Sequence, residues 1–138
     1  MILDKKLCFA DAQSITTDAN SEHVIDTSVA REIGKGEPMA AVIFVTTTFG
    51  TASGDTTLDI SVITDDNNSM SSETIVASAP QLSKSELTAG RDPIIIPIPP
   101  FAGLKRYLAL DFNVGSTAFN AGAVDAYLVP LNSIQTNK

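Results

Sequence analysis

The 138-residue chain sets nine Lys and Arg against sixteen Asp and Glu, a formal net charge of −7, so its average field repels a phosphate backbone and argues against nucleic acid as a partner. Apolar residues make up 43% and charged residues only 18%, enough to bury one real core, and the abundance of Thr, Ser, Val and Ile beside scarce Lys, Glu and Arg favours strands. The apolar runs fall far short of the roughly 20 residues that span a bilayer, which argues against a membrane.

The chain opens with MILDKKLCFADAQ, whose charges at Asp4, Lys5, Lys6 and Asp11 break the apolar core that a signal peptide needs. The protein is therefore expected to be made and kept in a cytoplasm, or to leave it without a cleaved signal. Met1, Ile2, Leu3, Lys5 and Lys6 set apolar anchors beside charges and have no evident place in a strand. They are candidate contacts of an arm that grips a partner, the competing reading being a frayed end or a first edge strand packed at home. Cys8 is the single cysteine; it cannot form an internal disulfide, and its apolar setting LCFA marks a small buried hydrophobe. His23, the single histidine, starts a weak strand over residues 23–27 (HVIDT) and reads as a surface or satisfied side chain. GKGEP at residues 34–38 lacks phosphate-loop spacing and reads as a turn.

Residues 40–49 (AAVIFVTTTF) are continuously apolar and then Thr-rich, as in a central strand whose outer face is partly covered. Residues 57–64 alternate, with Leu58, Ile60 and Val62 on one face and Asp59 and Ser61 on the other. The short loop GTASGD between these strands predicts an antiparallel hairpin. Its serine, Ser53, stands one place late for a G-x-S-x-G nucleophile elbow.

Next comes TDDNNSMSSETI at residues 64–75. Asp65, Asn67 and Ser69 have the spacing of the first three ligands of a calcium loop, but Met70 stands where the sharp turn needs Gly and Val76 where a bidentate Glu belongs. Turn chemistry is the better account, because Asp and Asn fold back on their own backbone and tolerate left-handed conformations. A looser calcium site drawing ligands from other loops stays open.

Residues 74–78 (TIVAS) form a weak strand. LSKSELTAG then carries Ser83 with Glu86 three positions on and Gly90 as a stop, the pattern of one helical turn. In residues 94–98 (IIIPI), Pro97 confines the strand to an edge or an end. That apolar edge, Ile94, Ile95 and Ile96 with Phe101, is a candidate dimer contact, with burial in the molecule's own core as the alternative. RYLALDFNV places Leu108, Leu110, Phe112 and Val114 inward and Tyr107, Asp111 and Asn113 outward. AVDAYLV places Val124, Ala126 and Leu128 inward. Residues 1–6 and 132–138 are candidate arms or tails.

Many short strands with Gly, Pro, Asn and Asp punctuation, and no alternation of strand with helix, predict an all-β fold: a single domain over residues 1–138 built as an antiparallel jelly-roll β-sandwich. With one His, one Cys and no recognisable nucleophile pattern, an enzyme is not expected, nor a metal centre or a cofactor.

Three segments in order, MILDKKLCFADAQ, TLDISVITDDNNSMSSETI and RYLALDFNVGSTAFNAGAVDAYLV, together with Gly90 and Pro99 between them, resemble the capsid cement (decoration) proteins of short-tailed bacteriophages, a family typified by a Bordetella phage. The resemblance implies a non-catalytic jelly roll on the outer surface of an icosahedral shell, a virion protein that holds neighbouring major capsid protein subunits together and works as a homodimer. The alternative is a ligand-binding sandwich, such as a carbohydrate- or receptor-binding phage domain. Sugar sites favour aromatic platforms, and this chain has no Trp and only Tyr107 and Tyr127.

Overall fold

An alternating strand leaves one apolar face that water cannot satisfy, so a sheet of such strands must be covered by another layer. In the computed structural model, which describes residues 5–29, 38–51, 54–99 and 103–131, the cover is a second sheet. The strands are β1 (Cys8–Ser14), β2 (Ala19–Asn20), β3 (Ile25–Asp26), β4 (Met39–Gly50), β5 (Thr57–Asp65), β6 (Thr74–Ser78), β7 (Leu82–Ser83), β8 (Ile94–Pro97), β9 (Tyr107–Val114) and β10 (Ala121–Pro130). One sheet has the order β1-β10-β4-β8; the other has β2-β9-β5-β6, with β3 also on β9 and β7 also on β5. Every pairing is antiparallel. Among the described residues the only helical pieces are short 3₁₀ turns at Lys5–Leu7 and Lys84–Glu86.

The core lies between the sheets. Phe9, Ile43, Val124, Ala126 and Leu128 from the first meet Leu58, Ile60, Val62, Leu108, Leu110 and Phe112 from the second, all of them buried. Each large aliphatic side chain so removed from water contributes roughly 1.5–3 kcal/mol. The inward positions read from alternation in β5, β9 and β10 all face this core; Val114, at the end of β9, is only half-buried. Cys8 is also buried and unoxidised, its thiol donating to the Ala10 carbonyl at 3.2 Å.

The predicted hairpin of β4 and β5 does not form. β4 pairs with β10 and β8, whereas β5 pairs with β9, β6 and β7. The chain between them crosses from one sheet to the other, so the apolar stripes of β4 and β5 face each other across the core instead of lying side by side. Alternation identifies which face of a strand is buried but not which strand lies beside it. The crossing is pinned by Lys84, whose ammonium donates to Thr51 Oγ1 at 3.3 Å and to the Gly54 carbonyl at 3.2 Å. The single helical turn forms as predicted, with the Glu86 carboxylate accepting from the Ser83 backbone N–H at 3.2 Å and its hydroxyl at 3.0 Å.

The free edge of β1 is closed by the segment that follows it. The Phe9 carbonyl accepts from the His23 N–H at 3.0 Å, the Asp11 N–H donates to Glu22 at 2.7 Å, and the Gln13 side chain bridges the Asn20 carbonyl and the Glu22 N–H. Register shifts on both sides of Ala10 bulge this strand, and Ala12 takes a left-handed φ of 50° while its N–H donates to Asp125 at 2.6 Å. Gly122 in β10 has φ of 143°, and a Cβ there would sit 2.5 Å from the ring of Phe49, which is held edge-on against Phe119 at 4.8 Å.

Two substitutions test this geometry by urea denaturation. Gly122→Ala is expected to cost about 3 kcal/mol, because its Cβ would overlap the buried Phe49 ring and a φ of 143° strains any side chain. Ala12→Gly is expected to gain roughly 0.5–1 kcal/mol by removing a left-handed non-glycine residue from an exposed bulge.

Candidate interaction face

At the end of β5 the stretch TDDNNSMSSETI resolves into hydrogen bonds to its own backbone. Asp65 Oδ1 accepts from the N–H groups of Asp66 at 2.7 Å and Asn67 at 3.4 Å, and Oδ2 accepts from that of Ser72 at 2.7 Å. The Asn67 side-chain oxygen accepts from Ser69 at 3.0 Å. The Ser72 N–H is the first cause of an Asp65 carboxyl held below its ordinary value, with burial opposing it. Among the described residues no group of three or more His, Cys, Asp or Glu is placed to hold a metal ion. Met70 adopts the left-handed φ of 55° that a calcium loop would give to Gly. Here the turn folds the chain back so that Met70, 3% exposed, covers Ile63 and Ala109.

That fold-back shapes the outer face of the six-stranded sheet. The strand register sets its outward side chains in cross-strand rows. Tyr107 lies between Asp26 and Asp65, and the next row runs Ala109, Ile63, Ile75. A third runs Asn20, Asp111, Ser61, Ser78, and a fourth pairs Asn113 with Asp59. The apolar row is capped by Met70, with Val24 and Tyr107 packed beside it. Its far end, Ile75 on the edge strand β6, is uncovered at 60% exposure.

Beyond that row the face is polar. The hydroxyls of Ser61 and Ser78 bond at 2.9 Å, and Gln81 donates to Asp59 at 3.4 Å. Asp111 is half-buried, and its carboxyl is pushed above the ordinary value first by burial and then by the charges of Glu73 and Asp18. No hydrogen bond or ion pair among the described residues answers it. The opposite corner is compensated: Arg106 Nε and Nη2 donate to the Asp26 carboxylate at 2.8 and 2.9 Å, and the guanidinium lies 4.9 Å from the centre of the Tyr107 ring. The Arg106 bonds, followed by the Ser28 N–H, bring the Asp26 carboxyl down to about 2. A shallow depression of about 290 Å³ lies between the turn holding Thr17 and Asp18 and the Val114–Gly115 end of β9, also lined by Ala118.

The residues singled out from sequence lie elsewhere. β8 is an edge strand that ends at Pro97, as the proline requires. Within it, Ile94 and Ile96 follow the alternative given for that edge, burial in the molecule's own core. Paired with Ile43 and Ala41, they share the inward face of β4 and are 6% and 1% exposed. Ile95, half-buried on the outer face beside Val42, is the member of that run left at the surface. Phe101 lies outside the described residues, as do Met1, Ile2, Leu3, Ser53 and the tail 132–138. Lys5 opens the first 3₁₀ turn and Lys6 is exposed. His23 is exposed, 3.7 Å from Glu22. The row of Asp111 with Asn20, Ser61 and Ser78 was not assembled from sequence; the outward direction of Asp111 and Ser61 was the available signal, and the missing information was the register.

The molecule is an antiparallel all-β protein whose distinctive surface is a sheet face. The Bbp16 family model matches residues 9–128, from the start of β1 almost to the end of β10, and the chain belongs to that family. Bbp16 is a Bordetella phage protein, and this family together with the β-rich fold fits a bacteriophage structural protein. No curated protein matches the chain. Among the described residues no helix is long and apolar enough to cross a membrane.

The carboxyl shifts carry a signed pH dependence. Asp26 is held low in the fold, so its stabilising contribution is full above its unfolded value of about 4 and is lost as pH falls through about 2. Asp111 has the opposite sign: its folded carboxyl is raised, so ionisation weakens the fold at neutral pH and protonation relieves the penalty. Thermal melts should therefore show Asp111→Asn stabilising near neutral pH, with the gain shrinking as acid protonates the native side chain. Asp26→Asn should destabilise near neutral pH, with the loss fading towards strong acid. For the turn, Asp65→Ala should lower the melting temperature, whereas millimolar calcium added to the native protein should leave it unchanged.

Proposed function

We propose that the protein is a capsid cement protein: a non-catalytic jelly roll that binds the outer surface of the phage shell and stabilises contacts between major capsid protein subunits, acting as a homodimer. The observation that carries this reading is the Bbp16 family match across nearly the whole chain. The strand order supports the jelly-roll assignment. The sets β1-β10-β4-β8 and β2/β3-β9-β5-β6/β7 take alternate turns along the chain, and the runs β2–β3 and β5–β7 are the stretches that stay within a sheet. Two interlocked Greek keys give that order.

A shell under pressure from packed DNA gains from many copies of a small rigid bridge, because modest binding per copy adds up when each copy touches more than one subunit. A formal charge of −7 keeps the particle's exterior from adhering to nucleic acid. The sugar-binding alternative has less support, since Tyr107 lies under the Arg106 guanidinium and both tyrosines are half-buried.

The test is to mix the purified full chain with expanded shells that lack it. Binding should saturate at a fixed stoichiometry and raise the melting temperature of the shell. Absence of saturable binding would overturn the proposal.

A further inference from the structure

We infer that the outer face of the six-stranded sheet, from Ile75 at the β6 edge across Ser78, Ser61 and Asp111, docks a cationic protein segment that presents an apolar side chain flanked by Lys or Arg. This rests on the cement reading and names the chemistry of the shell surface that the protein would meet.

Ile75 continues an apolar row whose other members, Ile63 and Ala109, are covered by Met70. The cover stops short of Ile75, which stands 60% exposed in a regular strand. Strand β6 carries no charged residue and forms the outer edge of its sheet. A neutral edge with a large exposed apolar group is a surface that natural sheets normally protect with charge.

The neighbouring row gives the charge of the occupant. Asp111 stands one row from Ile75, half-buried, with Glu73 and Asp18 close enough to repel its charge. Where a carboxylate at the far corner of the same face meets a cation, the structure supplies Arg106 to Asp26. Asp111 has no such partner among the described residues. Like charges held together without compensation weaken the isolated fold, and a cation from a partner converts that cost into specificity and faster association. An incoming Lys or Arg beside Asp111 and Glu73, with an aliphatic side chain laid against Ile75, satisfies both features at once.

The experiment uses expanded shells lacking the protein, with the full chain and the variants Ile75→Ser, Glu73→Gln and Asp111→Asn, across a salt series. Wild-type binding should weaken as salt rises. Ile75→Ser should weaken it by about tenfold, the scale of one aliphatic side chain left unburied. Glu73→Gln and Asp111→Asn should each weaken it several-fold and flatten the salt dependence, while Asp111→Asn leaves the isolated protein at least as stable as the native one. A merely structural role for Asp111 would not lower binding while raising stability. If wild type binds and the variants match it in affinity and salt dependence, this face is not the docking surface, although the cement reading stands. If wild type does not bind at all, both fall.

Discussion

Everything in this molecule depends on the closure of two inner sheet faces over each other. β4 and β10 on one side, β5 and β9 on the other, are the long strands, and their inward residues have almost no exposure. The remaining strands are short and hang from these by ladders: β1 and β8 flank β10 and β4, while β2, β3, β6 and β7 flank β9 and β5. The flanking strands owe their position to the central ones, so the outer features, including the rows of the six-stranded sheet, inherit a rigid base. Burial of apolar surface is non-directional; the direction comes from the ladders, which fix which side chains stand in one row.

This division explains what could be read from the sequence. Strong alternation in β5, β9 and β10 revealed both their existence and their inward residues, because each lies between an apolar core and a more polar outside. Pro97 located an edge because a proline has no N–H to give to a neighbour. By contrast, β1 reads CFADAQS, in which bulges around Ala10 and a left-handed Ala12 break the period that would have disclosed a strand. β2, β3 and β7 have two residues each, too few for any period. The β4–β5 hairpin was misread for another reason: a short glycine-containing loop joins strands within a sheet and across a sandwich alike.

The outer face follows the same logic one level up. That Asp111 and Ser61 point outward was legible, and so was the turn chemistry of Asp65 and Asn67. That Asp111 stands beside Ser61, one row from Ile63 and Ile75, required the register, which in a sandwich joins residues far apart in the chain. The run Ile94 to Ile96 shows the limit most clearly. Alternation sends its first and last members into the core and its middle one outward, so three adjacent isoleucines never form one surface.

β10 lies between β1 and β4, so the last strand in the described chain is the one that joins the first to the rest of its sheet. Cys8 faces Tyr127, and the Ala12 N–H reaches Asp125, contacts that close only once β10 is present. Until β10 has been made the middle of the four-stranded sheet is missing, and β1 waits without its ladder partner. Folding of this sheet becomes a late event with costly long-range closure, slow to begin and dependent on the synthesis of β10. A prematurely terminated chain lacks the strand that would pair β1 with β4, and cannot build this sheet as a partial copy of itself.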